Sequence, residues 1–453
     1  MKNDFGSGAV WKVILRQAIP LLLAQLVHLL YNVVDRIYLG HLEDIGSIAL
    51  TGVGLIFPLT TLIAAVTNLF ASGGAPLFSI ARGAQEENKA QKILNQVAGG
   101  LLFSSVILFF IAYFFRKPIL YLFGASDASY AYADIYLKIY LFGTTATMLA
   151  TGLNNFINAQ GYPRIGMNTI VIGAIINIIL DPILIFFFHM GVAGAALATV
   201  ISQYVSCYYV MRFFFSDDCQ YAITWKEMIP DAEMYKDITS LGVTGFIMQG
   251  TNSLVSILCN VTLRTFGGDM YVGIMTVLNS VREILSLPAL TIPQGATPVI
   301  SYNYGARQYS RIRSGILFVS ISSLIYTAIA WIIVLLYPGA MISIFTNNME
   351  MVATGTHSLL LYFFGFVFMT GQATGQTIFT ALKCKKRAIF FSLFRKVIII
   401  VPLTILLPRM GFGVDGVFLA EPISNVLGGL ACYITMIITV FKRLPEDGVE
   451  CVL

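Results

Sequence analysis

Twelve apolar runs, near residues 13–34, 48–70, 95–115, 133–153, 165–188, 191–211, 238–263, 271–300, 315–337, 357–380, 389–407 and 413–440, leave this 453-residue chain few folds to choose from. A helix crosses bilayer hydrocarbon in about 20 residues. The sequence therefore predicts an all-α membrane protein with twelve transmembrane helices. Composition agrees: 57% of residues are hydrophobic and 11% charged, where soluble domains carry about 25% charged residues. The first run is too long for a signal-peptide core and eleven more follow it, so it is read as a retained helix.

Lysine and arginine set the orientation. Twenty-one of them, including Arg395 and Lys396, are assigned to the side shared by both termini, and six (Arg36, Arg116, Lys117, Arg264, Arg282 and Arg409) to the other. The positive-inside rule then places both termini in the cytoplasm of a multi-pass protein of the cell membrane. The net charge of +5 reports this topology, and no nucleic-acid partner is read from it. The six cysteines (207, 219, 259, 384, 432 and 451) are scattered without a CxxC, which points to reduced structural thiols. No cofactor is expected, no metal beyond a coupling ion, and no second subunit.

The chain repeats itself. "GGAPLFSIARGAQ" (73–85) matches "QGATPVISYNYGARQ" (294–308), with Pro76 and Pro298 separated by 222 positions, and "GVAGAALATVIS" (191–202) matches "GVDGVFLAEPIS" (413–424) at the same offset. A weaker pair, "FINAQGYPR" (156–164) and "FTALKCKKR" (379–387), lies 223 apart. Six spans per repeat keep the halves in one orientation, the parallel arrangement in which transporters hold substrate between repeats. The expected organisation is an N-terminal six-helix lobe over 1–213, a cytoplasmic connector over 214–237 suited to join two moving lobes, and a C-terminal lobe with a short tail over 238–453.

Polar residues form stripes within the spans. Gln25, His28, Asn32 and Asp35 share one face of the first helix. The seventh repeats the pattern with Gln249, Asn252 and Ser256, but Cys259 stands at the position of Asp35. The fourth adds Thr147, Thr151, Asn154 and Asn158, and the tenth Gln372 and Gln376. Lipid rejects such faces, so they look at protein or water. Together with Glu421, just inside the twelfth helix, these residues are the candidate lining of a substrate cavity. Interhelical hydrogen bonding is the competing reading of each Asn and Gln.

Asp181 lies in "NIILDPILIFFF" and is costly in a membrane, by at least ~2.5 kcal/mol. It stands 17 residues beyond Arg164, or ~25 Å up the fifth helix. Asp35 is 19 residues above Arg16, or ~28 Å up the first. Both acids thus occupy the outer half of the N-terminal lobe. Asn177 precedes Asp181 by one turn on the same face. Pro182 lacks an N–H, so the Ile178 carbonyl loses its partner and a kink is predicted. A carboxylate, an amide oxygen and a freed carbonyl within a turn suit a small hard cation or a proton. Glu283 beside Arg282 is read as a local ion pair, and His28 as a hydrogen-bonding or substrate-lining group.

Twelve spans in two parallel halves, with "PLLLAQLVHLLYNVVDRIYLG" opening the first and "NIILDPILIF" then "GVAGAALATVIS" closing it, resemble the multidrug and toxic compound extrusion (MATE) family over essentially the whole chain. The resemblance implies a V-shaped pair of bundles that exports mostly cationic, lipophilic compounds in exchange for protons or sodium ions. It implies an N-lobe cation site of Asp35, Asn177, Asp181 and, on the sixth helix, Thr199. In the NorM branch, acids on the seventh and tenth helices contribute to cation binding. Gln249 and Gln372 stand there in this chain, so a C-lobe cation site would need Glu421 instead. A lipid or lipid-linked oligosaccharide flippase is the alternative. It would line its cavity with arginine or lysine, and the stripes carry none. An enzyme would need a nucleophile and base or a metal cluster, neither of which the motifs supply.

Overall fold

The computed structural model describes residues 3–40, 52–123, 125–216, 219–345 and 348–451, except the side chains of residues 32, 33, 36, 37, 39, 40, 128 and 269. All regular structure among them is helical. The helices are α1 (Val10–Gly40), α2 (Phe57–Gly83), α3 (Glu87–Phe114), α4 (Arg116–Leu122), α5 (Asp127–Phe142), α6 (Thr144–Ala159), α7 (Pro163–Pro182), α8 (Gly191–Phe214), α9 (Ala232–Gly305), α10 (Tyr309–Leu336), α11 (Pro338–Ser343), α12 (Met349–Tyr362), α13 (Met369–Ala381), α14 (Lys385–Leu393), α15 (Val401–Leu407) and α16 (Gly413–Thr439).

Each apolar run is helical over its described residues apart from short breaks. Helices and runs do not correspond one to one, however. The fourth run is divided at Gly143 into two helices of 16 residues each. The seventh and eighth merge in α9, which turns at Gly268 with φ 75°, a conformation that suits glycine. Seven helical stretches among the described residues are long and apolar enough to cross a membrane, and Met349–Tyr362 with Phe366–Ala381, bent by 46°, makes an eighth.

The chain divides into two compact units, Met1–Asp4 with Ile19–Phe246, and Phe5–Ala18 with Ile247–Leu453. Two of the three boundaries fall inside helices, one in α1 just before Pro20 and one in α9 after Phe246. The first unit accordingly buries Ile238 and Leu241 of α9 with Phe70, Phe78, Leu94 and Phe156. The second buries Val10, Val13 and Ile14 of α1 with Val299, Ile300, Ile312 and Ile316.

The repeat is written in the backbone as well as in the residues. Left-handed residues recur at one offset: Gln85 and Arg307, Gly161 and Lys383, His189 and Gly411, Gly191 and Gly413. The turn after α2 closes with Glu86 N–H donating to the Ala81 carbonyl at 2.9 Å, and the turn after α9 with Gln308 N–H donating to Asn303 at 2.9 Å. Both are the six-to-one bonds of a Schellman stop.

Residues 219–231 are docked against α3. Asn95 donates to Glu227 at 2.6 Å and accepts from Thr224 N–H at 2.9 Å. Gln96 donates to the Glu227 and Ile229 carbonyls and accepts from Asp231 N–H at 2.9 Å. Lys92 meets Asp231 at 2.5 Å, and that hydrogen bond holds the Asp231 carboxyl below the usual carboxylate range. The stretch predicted as a connector is therefore a strap belonging to the first unit over these residues.

Two helices of the first unit cross at glycines. A Cβ on Gly242 would lie 1.7 Å from the Leu69 carbonyl oxygen, and one on Gly73 would lie 2.0 Å from that of Ile238. Backbones approach this closely only where side chains are absent. Gly242→Val is expected to destabilise the purified protein by about 1–3 kcal/mol, the usual cost of overpacking. A thermal melt in detergent checks this, with Gly54→Val, where a Cβ meets open space, as the control.

Candidate functional site

α7 carries the central pair. Asp181 is fully buried and Asn177 nearly so. One turn of helix sets Asn177 Nδ2 to donate to Asp181 Oδ1 at 3.3 Å. Asn177 Oδ1 and Asp181 Oδ2, both buried, have no hydrogen-bond partner among the described residues. Two such oxygens, one anionic, are the donors a small hard cation prefers. The helix does not stop at Pro182, which takes φ −63° and ψ −30°, and it continues as a π-helix over Ile183–Phe187. Phe188 N–H then donates five residues back to Ile183 at 2.9 Å. Ile183 N–H donates to the Leu180 carbonyl, and the proline predicted to kink the helix coincides with a change of helix type.

α1, α5 and α8 bring further polar groups to this pair. Asp35 is half-buried, and its charge acts on Asp181. Both carboxylates act on the Tyr31 hydroxyl. Tyr136 on α5 is buried, and the charge of Asp35 acts on it. Thr199 itself donates to the Ala195 carbonyl at 3.0 Å. Of the four residues nominated for the cation, Asn177 and Asp181 are hydrogen-bonded, and Asp35 and Thr199 belong to the same unit, together with Tyr31 and Tyr136, which the sequence did not single out. Tyr31 stands one turn before Asp35, a spacing that could have identified it. His28 is exposed and packs edge-on against Tyr31 with ring centroids 5.0 Å apart. Gln25 is half-buried. The Asn32 side chain lies outside the described residues.

On α6 the asparagines of the stripe turn into a neighbouring helix, while Thr147 and Thr151 bond carbonyls four residues back and Thr151 is exposed. Asn154 donates to the Gly166 carbonyl at 2.8 Å and to Thr169 at 2.5 Å, and Asn158 donates to Asn154 at 2.8 Å. In the second unit Gln376 bonds the Ala388 carbonyl at 2.8 Å and Ser392 at 2.7 Å, and Gln372 donates to the Phe391 carbonyl at 3.2 Å. These amides are engaged between helices. On α9, Asn252 and Ser256 are exposed and Gln249 is half-buried.

Glu421 corrects two expectations. Arg282 does not pair with Glu283, which is exposed, but with Glu421 at 3.0 Å. Neighbours at i and i+1 point about 100° apart on a helix and do not face each other. Arg395 and Lys396 are not loop cations either. They lie on the π-helix Phe394–Ile400 and meet the same carboxylate at 3.0 and 3.5 Å. With these three set aside, the excess of basic residues assigned to the terminal side keeps its sign.

A MatE profile matches residues 20–183 and 245–406, the two repeats in turn. The chain belongs to the MatE family. Similar proteins include the multidrug export protein MepA of Staphylococcus aureus (strain bovine RF122 / ET3-1), 25% identical over 99% of this chain and 98% of that protein. MepA of Staphylococcus haemolyticus (strain JCSC1435) is 27% identical over 83% of this chain and 84% of its own. Among solved structures, the MATE multidrug transporter DinF-BH in complex with R6G is 30% identical, covers 96% of this chain and 97% of its own, and superposes with a TM-score of 0.89. A MATE structure in the bent conformation shares the fold at TM-score 0.90 with 22% identity, over 96% and 97% of the two chains. Membership in MatE makes this an all-helical, multi-pass membrane transporter.

The α6 arrangement has a direct consequence. Asn154→Ala withdraws two donors from a buried interface and is expected to cost about 1–3 kcal/mol of stability. Melting in detergent measures this, and exposed Asn155→Ala should leave the transition unmoved.

Proposed function

We propose that this MatE chain is a secondary antiporter, working as a monomer with both termini cytoplasmic in the cell membrane. It exports small organic compounds, cationic or lipophilic, in exchange for protons or sodium ions by alternating access. Asp181 carries the reading: a fully buried carboxylate whose Oδ2 lacks a partner among the described residues, beside the Asn177 amide and within the field of Asp35. Multidrug export by the MepA proteins and the R6G complex of DinF-BH support the substrate class.

The mechanism follows from the cost of buried charge. Two carboxylates in each other's field in a poorly polarisable site repel unless a cation lies with them. A proton or a sodium ion can satisfy them, with Asp35, Asn177, Asp181 and Thr199 supplying the oxygens. A cationic substrate can satisfy them too. Because the same negative charge serves both, each displaces the other, and exposure of the site to one aqueous side at a time couples influx of one to export of the other. Gln25 and His28 on α1, and Gln249, Asn252 and Ser256 on α9, offer polar faces for the substrate without titrating carboxylates of their own. A second reading, a flippase for an anionic lipid, draws support from the cations around Glu421. Lipid scrambling in proteoliposomes without any ion gradient would favour it.

R6G efflux from proteoliposomes under separately imposed sodium and pH gradients tests the antiport. Wild-type protein should respond to an inward gradient of one ion, and Asp35→Asn and Asp181→Asn should each abolish that response while the protein still elutes as a folded species. Gradient-driven efflux at the wild-type rate in Asp181→Asn would remove that residue from the coupling site. Pro182→Ala keeps every charge but restores the missing donor, so slower turnover with unchanged binding is expected if the π-helix takes part in the cycle.

A further inference from the structure

The second unit contains a charge arrangement of the opposite sign. Glu421 is buried on α16, directly before Pro422, and is met by Arg282 from α9 and by Arg395 and Lys396 from the π-helix between α14 and α15. Both arginines reach the same oxygen, Oε1, each at 3.0 Å, while Lys396 approaches Oε2 at 3.5 Å. The side chains of Arg395, Lys396 and Glu421 are 13%, 8% and 7% exposed, and that of Arg282 is 27% exposed. With every group ionised, one carboxylate answers three cations. Uncompensated charge of this kind is expensive within a membrane-spanning unit.

The geometry leaves donors to spare. Arg282 uses Nη1 for Glu421 and for the Tyr362 hydroxyl at 2.6 Å, and Tyr362 in turn donates to Asn279 at 2.9 Å, which fixes the guanidinium in place. Arg395 uses Nη1 for Glu421 and for Asn425 Oδ1 at 2.7 Å. Among the described residues, no hydrogen bond or ion pair runs through Nε or Nη2 of either arginine. A guanidinium presents five donors in a planar fork suited to carboxylate and phosphate. Two half-used forks, a lysine, and a carboxylate oxygen shared between the forks describe a basic site whose internal anion stands where an incoming oxyanion would bind.

We propose that Arg282, Arg395 and Lys396 form a binding site for the oxyanion of an organic substrate, a carboxylate or phosphate group, with Glu421 as the internal counter-ion that the substrate displaces. The site would admit amphiphiles carrying an acidic group, zwitterions included, alongside the cationic compounds served by the first unit. It goes beyond the antiport reading and does not depend on it, because binding is measured without a gradient.

The test is saturable binding of carboxyfluorescein to the full-length protein in detergent, followed by fluorescence anisotropy. Arg282→Gln and Arg395→Gln should each weaken binding about tenfold, as expected for loss of one charge-assisted partner. Glu421→Gln should tighten it severalfold, because the competing carboxylate is gone. That sign separates a ligand site from a structural ion cluster, since removal of the carboxylate from a structural cluster would loosen the unit and lower affinity. Should an Arg→Gln protein fail to elute as a folded species, Arg282→Lys keeps the charge while losing the fork and is expected to bind more weakly than wild type. Absence of saturable binding by wild-type protein, or weaker binding in Glu421→Gln, would overturn the proposal. Displacement of the dye by phosphatidylglycerol but not by benzoate would overturn the assignment to a substrate in favour of a lipid headgroup.

Discussion

A charge inside a membrane protein must be answered locally, because neither lipid nor a distant solvent can answer it. Much of the polar chemistry of this chain follows from that constraint. In the first unit, α7 buries Asp181 against Asn177, and α1, α5 and α8 add Asp35, Tyr31, Tyr136 and Thr199 to the same unit. In the second, Glu421 collects two arginines and a lysine. Glu421 stands 222 positions after Thr199, the offset of the sequence repeat. Duplicated frameworks have therefore been given opposite local polarity: acid beside acid in one, and cations around a single acid in the other.

The framework itself is preserved where side chains are not. His189 and Gly411, or Gly161 and Lys383, share a left-handed backbone at equivalent positions although their side chains have nothing in common. A helix that must stop and reverse at a membrane edge needs its last carbonyls satisfied, and after Gly161 and Lys383 the six-to-one bonds from Tyr162 to Ile157 and from Cys384 to Phe379 do this although the residues differ. Within the spans, π-helices interrupt the α-helical ladder. One follows Pro182, and another carries Arg395 and Lys396 inward.

Much of this was legible in the sequence because its signals are local. The apolar runs, the repeat, and the Asn177–Asp181 spacing each lie within one helix or one short motif. Partners supplied by distant segments were not legible. Arg282 and Glu421 are 139 positions apart, and nothing near either announces the other. Arg395 and Lys396 sit close to the start of an apolar run next to several loop lysines, so charge counting placed them with the loop. The strap over residues 219–231 read as a connector or a static surface loop because its own composition is polar. Its anchors, Asn95 and Gln96, are buried in α3, and two amides at the edge of an apolar run were the available hint. Likewise the Asn154 and Asn158 pair could not be divided between cavity and packing until Gly166 and Thr169 were located opposite them.

The central claim is that one negatively charged pocket in the first unit serves the driving cation and the exported compound in turn. Calorimetric titration of R6G into purified protein, repeated across sodium concentrations at fixed pH and across pH without sodium, tests it directly. Mutual exclusion predicts that the apparent affinity falls in proportion to one of the two cations, with that cation released as R6G binds, and that Asp181→Asn removes the dependence. An affinity indifferent to both sodium and pH in the wild-type protein would contradict the account.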